Sequence, residues 1–287
     1  MSIYPEYLFH YTSIETLALI LKNRTIRFNS LCNVDDMQEQ TTNDIQNYAR
    51  FVFVSCWTDS EQESIPMWMM YAKRNESVGG VRIKLSTNPF YEHTIDSAEM
   101  IKAYGKNAIS QIKIEGSITS YIPPKLFFNY LCFPPFTQQS SLHEVVYTDN
   151  ESELSKAIFK DTIQPNGEFT VKLELGAMGK TKNKYWDFQD EWRYIFTVLP
   201  LQFKHQLFDN AVADKERTEL YLNLKKGIAS LPFAYFDLLI TENAIKQIEI
   251  TLSPLVSVGG RLIVDSFVKN YAATAVVKES SLKGIIK

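Results

Sequence analysis

Residues 9–21, FHYTSIETLALIL, change their hydrophobic period within a few positions, and this constrains the fold more than any other stretch of the chain. The apolar segment 7–11 reads as a short strand. Thr12 and Glu15 then have the T-x-x-E spacing of a capping box, in which each side chain satisfies a backbone N–H that the first helical turn leaves unpaired. Ile14, Leu17, Ile20 and Leu21 fall on one helical face, which predicts a helix packed against a sheet. His10 is expected at the strand-to-helix corner. The free N–H groups and positive helix end there suit an anionic or hydroxyl-rich ligand. The alternative is a buried histidine tied to a neighbouring carbonyl.

With 287 residues, 45% of them hydrophobic, the chain can bury a sizeable core, and 18 Phe and 15 Tyr make that core bulky. A net charge of −3 and a pI of about 5.9 exclude indiscriminate polyanion binding, so contact with phosphates has to be local. Cys32, Cys56 and Cys132 form neither a disulfide framework nor a zinc pattern, as expected of a reducing, cytoplasmic setting. No apolar run approaches the ~20 residues that span a bilayer, and no secretory signal is legible, so no membrane partner is expected. Phosphate-binding glycine loops and the nucleophile elbow are missing. His10, His93, His143 and His205 lack partners at metal-ligand spacing, so no metal is expected.

Along the chain, strands are expected at 25–28, 50–57, 81–85, 168–175, 220–224, 234–240, 247–252 and 274–278, with a strand end at 145–147. Helices are expected from Pro66 through Tyr71, at 151–159, at 242–246 and at 258–271. The polar segment 29–47, containing Asn33, Asp35, Asp36 and Glu39, reads as a solvated connection or as a loop over a site. Residues 96–115 are weakly helical. Pro123-Pro124 and Pro134-Pro135 bracket an aromatic stretch, giving a helical insertion near 96–136. From Glu191 the chain alternates, with Trp192, Tyr194, Phe196 and Val198 on one face and Glu191, Arg193, Ile195 and Thr197 on the other. This order of elements is α+β, with mixed or antiparallel strands.

Three segments in order, FHYTSIETLALILKNRTIRF with SLCNVDDMQE, FVSCW with MWMMYA and GGVRIKL, and KYWDFQDEWR, resemble an uncharacterised bacterial domain-of-unknown-function family (number twenty-nine seventy-one). The likeness covers roughly residues 7–199. The chain departs from that family at Gln189, where a glutamate is usual, and at Asp36-Met37, where Asp-Pro is common. The first segment also resembles the opening of ADP-ribosyltransferases that carry a His-x-Thr motif. The resemblance implies one ADP-ribosyltransferase-like domain over residues 1–287, with a mixed or antiparallel sheet core, flanking helices and the helical insertion. It implies an enzyme that uses NAD as substrate and modifies a macromolecular acceptor (RNA, DNA or protein), acting as a bacterial toxin or phage-defence effector, with an antitoxin or inhibitor protein as a further partner.

Carried over residue by residue, His10 and Thr12 match the first motif, Ser55 or Tyr71 the middle position, and Glu191 the late carboxylate. Breaking the nicotinamide–ribose bond passes through a cationic, oxocarbenium-like transition state, which a carboxylate beside the ribose stabilises. His10 and Thr12 would orient the adenosine end, and Tyr71 or Tyr11 would sandwich the nicotinamide. Structural alternatives stand beside each role. Glu191 and Arg193 share a strand face and suit an ion pair, Ser55 suits a local hydrogen bond, and Trp68 and Met70 suit a core. With those alternatives the protein is a catalytically degenerate nucleotide-binding or protein-interaction module. NAD hydrolysis with water as acceptor is the third possibility.

Overall fold

A computed structural model describes residues 4–72, 78–96, 117–134, 138–163, 169–202, 205–206 and 210–286. Its strands are β1 (Tyr7–Ser13), β2 (Thr25–Ser30), β3 (Val52–Thr58), β4 (Gly80–Ser86), β5 (His93–Asp96), β6 (Ser117–Ser120), β7 (Leu131–Phe133) and β8 (Leu142–Glu144). Then follow β9 (Val146–Thr148), β10 (Phe159–Ile163), β11 (Phe169–Leu173), β12 (Thr181–Asn183), β13 (Glu191–Leu199), β14 (Tyr235–Leu239), β15 (Glu249–Leu252) and β16 (Val276–Lys278). Ten strands form the main sheet, in the order β14-β2-β3-β1-β4-β15-β16, with β13 alongside β3 and carrying β7 and β8 on its far edge. The pairings are antiparallel except β15 with β16, so the sheet is of mixed polarity and the class is α+β. Helices α1 (Ile14–Asn23), α2 (Ile65–Tyr71), α3 (Pro124–Asn129), α4 (Asn210–Lys225), α5 (Glu242–Lys246) and α6 (Val258–Tyr271) flank it.

The opening segment folds as its period predicts, with one change at the cap. β1 runs on through Thr12, whose backbone pairs with Val81, and Ser13 is the N-cap, its hydroxyl accepting from Thr16 N at 3.1 Å. Such a cap stabilises a helix by about 1 kcal/mol. Ile14, Leu17, Ile20 and Leu21 are buried as one face against Leu8, Val81 and Ile83 of the sheet and Val264 and Val268 of α6. Burying each of these aliphatic side chains contributes roughly 1.5–3 kcal/mol. On the opposite face of the sheet, Met67 and Trp68 of α2 pack on Tyr11. Beside them, Val54 and Ile195 join a second core cluster with Leu31 and Ile45 of the polar segment, Tyr48 just after it, and Leu220 and Leu224 of α4. All nine residues of β13 are buried because both of its faces are covered.

Two expectations are corrected, and a third falls largely outside the described residues. Residues 220–224 are the end of helix α4 rather than a strand: Ala213, Leu220 and Leu224 are spaced to share one helical face and are buried, and the five residues LYLNL alone cannot distinguish the two periods. Residues 151–159 hold a single helical turn, Glu151–Leu154, with no buried side chain, and Phe159 opens β10. Within the expected insertion, the described residues form β6, the short α3 started by Pro124 at its first turn, and β7; residues 97–116 and 135–137 lie outside the described residues.

Candidate functional site

The site residues are distributed by a fork in the sheet. One edge of β3 pairs with β13 along its whole length. The other edge is shared, taken by β2 at Phe53 and Val54 and by β1 at Thr58. The Cys56 carbonyl lies in the gap between these partners. The His10 imidazole satisfies it, Nδ1 donating to the Cys56 oxygen at 2.8 Å while the ring tilts against Trp57 at 5.1 Å between centroids. Burial pushes the His10 imidazole below its usual pKa, so the neutral ring carries its proton on Nδ1.

Register then decides which groups share a face. Phe9 pairs with Thr58, and Thr58 with Glu191. Residues in antiparallel register point the same way and their chain neighbours point the other. Tyr11, Cys56, Glu191 and Arg193 therefore share the α2 face, whereas His10, Thr12, Ser55 and Trp57 share the α1 face. The predicted residues do not converge as one set. Tyr11, Tyr71 and Glu191 come together on one side of the sheet, and His10, Thr12 and Ser55 stand on the other.

On the α1 face Ser55 has a local partner. Ser55 Oγ accepts from Trp57 Nε1 at 2.9 Å, and Thr12 is buried within β1. On the α2 face, Tyr11 Oη accepts from Ser64 N at 3.0 Å and its ring meets Trp68 edge-on at 4.8 Å. Tyr71 Oη accepts from Gln189 Nε2 at 2.8 Å, and Gln189 Oε1 accepts from Lys182 Nζ at 2.7 Å. Lys182 Nζ also donates to Glu191 Oε2 at 3.2 Å and lies 4.7 Å from the Trp186 ring centre. Burial, reinforced by Asp35, raises the Tyr71 phenol above its usual pKa and keeps it protonated.

Glu191 opens β13 and is 5% exposed. Arg193 Nε reaches its Oε1 at 2.7 Å and Nη2 its Oε2 at 3.0 Å. The remaining guanidinium hydrogens go to the two carboxylate oxygens of Glu39 and to the Gly179 carbonyl, the last at 3.1 Å. All five Arg193 donors are thereby used. Lys182 stands 3.6 Å from Glu39, closing a buried quartet of two acids and two bases. Burial alone would raise the Glu191 carboxyl; the charges of Arg193 and Lys182 outweigh it and hold the carboxyl down to about 2. The same surroundings, burial first and then Glu191, push the Cys56 thiol up, so it is no nucleophile at neutral pH.

Sequence reasoning paired Arg193 with Glu191 but missed Lys182, Gln189 as a bridge, and Glu39 as the second carboxylate. Nothing in the spacing marks Lys182, since β12 is a three-residue strand paired only with β9. Glu39 sits in a polar stretch that a solvated connection would explain equally well, yet Asp36 and Glu39 are both buried. A small cavity of about 10 Å³, lined by Glu39, Lys156, Gly179 and Thr181 among others, lies beside the quartet. A cavity of about 630 Å³ lies elsewhere, between Leu131, Phe159, Leu173, Leu199, Leu220 and Leu224, and none of the six predicted residues lines it. Among the described residues no group of three or more His, Cys, Asp or Glu side chains is placed to share a metal ion, and no helix is long and apolar enough to cross a membrane. Comparison with known proteins finds no family model, no curated protein and no solved structure that matches the chain.

Proposed function

We propose that this chain is an NAD-dependent ADP-ribosyltransferase that takes NAD on the face carrying Tyr11, Tyr71 and Glu191 and transfers ADP-ribose to a macromolecular acceptor, nucleic acid or protein. The observation that carries this reading is the hydrogen-bonded series Tyr71–Gln189–Lys182–Glu191. It couples an aromatic ring able to stack on nicotinamide to a carboxylate that stays ionised throughout the physiological range. That is the charge state required beside an oxocarbenium-like ribose, and losing such a group typically costs about 3–4 kcal/mol in the barrier. Of the two residues considered for the middle position, Tyr71 is the one sharing a face with Glu191. His10 and Thr12 are then framework, filling the fork of the sheet and leading into α1.

A second reading has its own observation. Both Glu191 oxygens are engaged by Arg193 and Lys182, as in a structural ion pair, which favours a module that holds a nucleotide without cleaving it. Incubation with labelled NAD and cell extract separates the two. The transferase reading expects nicotinamide release and label on a macromolecule with wild type, and neither with Glu191→Gln. Binding of NAD by calorimetry without turnover supports the module, and neither binding nor turnover rejects both.

A further inference from the structure

Of the four charged groups in the buried quartet, three are set by regular strands: Lys182 by β12, Glu191 and Arg193 by β13. Glu39 is the exception. It comes from the four-residue 3-10 turn Met37–Gln40, which is flanked by irregular chain and whose Met37 is 77% exposed. The turn is also imperfectly satisfied. Its N-cap Asp36 is 5% exposed; Oδ1 accepts from Gln38 N at 2.9 Å, whereas Oδ2 is buried with no hydrogen-bond partner among the described residues. Displacing the turn returns that oxygen to water and removes a desolvation penalty that opposes the closed state.

Charge defines what replaces Glu39. With it in place, two carboxylates balance Lys182 and Arg193. Without it, one buried positive charge is left over, and burying it unpaired is unfavourable. Lys156 adds to this, lining the small cavity beside Glu39 and, after burial, depressing the pKa of neighbouring Lys180. The Glu39 carboxylate meets Nη1 and Nη2 of Arg193 as a forked pair of oxygens, the pattern in which guanidinium also holds phosphate.

We propose that Arg193 and Lys182 form a diphosphate site and that Glu39 is its internal occupant, released when the diphosphate of a dinucleotide enters. The dinucleotide part rests on the NAD reading above; the anion site does not. The closed turn acts as a competitor, so apparent affinity is reduced by the fraction of molecules in which the turn is open.

Hydrogen exchange of the wild-type chain, with inorganic pyrophosphate and separately with ADP-ribose, tests this. Each ligand should speed exchange across 35–41 by about tenfold or more while slowing it across 189–195. Glu39→Gln, which keeps the shape and removes the competing charge, should bind pyrophosphate about tenfold more tightly than wild type. Unchanged or slowed exchange across 35–41, no binding of either ligand, or a folded Glu39→Gln that binds no more tightly would overturn the proposal. If Glu39→Gln fails to fold, the wild-type exchange data decide. Opening by pyrophosphate with no NAD binding or turnover keeps the anion site and removes the NAD reading. NAD transfer with 35–41 still protected does the reverse.

Discussion

Glu191→Gln keeps the side-chain shape and removes its charge, leaving Lys182 and Arg193 to face Glu39 alone. Two magnitudes describe the cost of this one interaction. The fold holds the Glu191 carboxyl from 4.5 down to about 2. At about 1.36 kcal/mol per pH unit this linkage amounts to about 3 kcal/mol. Removing one partner of a buried ion pair costs roughly 3–5 kcal/mol. With a urea slope of about 3 kcal/mol/M, the unfolding midpoint at pH 7 should fall by about 1 M. The sign with pH is fixed by the depressed pKa: the Glu191 contribution is complete above 4.5 and is lost as pH falls toward 2, so wild type and variant should converge there. Adding Lys182→Met restores the charge balance, and the double variant should be more stable than the two single losses predict, by on the order of 1 kcal/mol. A folded Glu191→Gln whose midpoint stays within about 0.3 M of wild type would refute the electrostatic account of the quartet.

His143 gives a separate pH dependence. Burial first, and then Lys180, push its imidazole down to about 4, so the fold resists a proton that the unfolded chain accepts. Stability should therefore be flat above 6.5 and fall as pH drops from 6.5 toward 4, a slope that His143→Gln should flatten; equal urea midpoints at pH 7 and pH 5 for wild type would contradict this. At Gly260, early in α6, an added Cβ would stand 2.1 Å from the Val78 carbonyl oxygen, which is backbone and cannot turn aside. Gly260→Ala should cost at least about 2 kcal/mol and lower Tm by roughly 4 °C or more, and an unchanged melting curve would show that α6 is not seated as described.

Much of the fold is written locally. The switch from period 2 to period 3.6 at Ser13 sets β1 and α1, and the apolar positions of α1 are those it buries. Residues 258–271 form α6 with the expected limits, and the strand beginning at Glu191 starts where alternation begins. The five residues 220–224 fit either period, and the packing of Leu220 and Leu224 against Ile195 and its neighbours selects the helix. The site was less legible for a different reason. Alternation alone separates Tyr11 from His10 and Thr12, since adjacent strand residues point to opposite faces. Which face holds Glu191 depends on the pairing of Phe9, Thr58 and Glu191 across three strands distant in sequence. The fork that gives His10 its carbonyl partner depends on β1 and β2 sharing one edge of β3, and no single segment records it.

The most direct measurement is label transfer from NAD by His10→Gln and Glu191→Gln side by side, at a temperature where circular dichroism shows both folded. Because His10 faces Trp57 and Glu191 faces Arg193, His10→Gln should retain transfer within about tenfold, and Glu191→Gln should lose it by 10²-fold or more, on the order expected for a group stabilising the transition state. Loss of transfer in His10→Gln with retention in Glu191→Gln would place the ligand on the other face of the sheet and contradict the account.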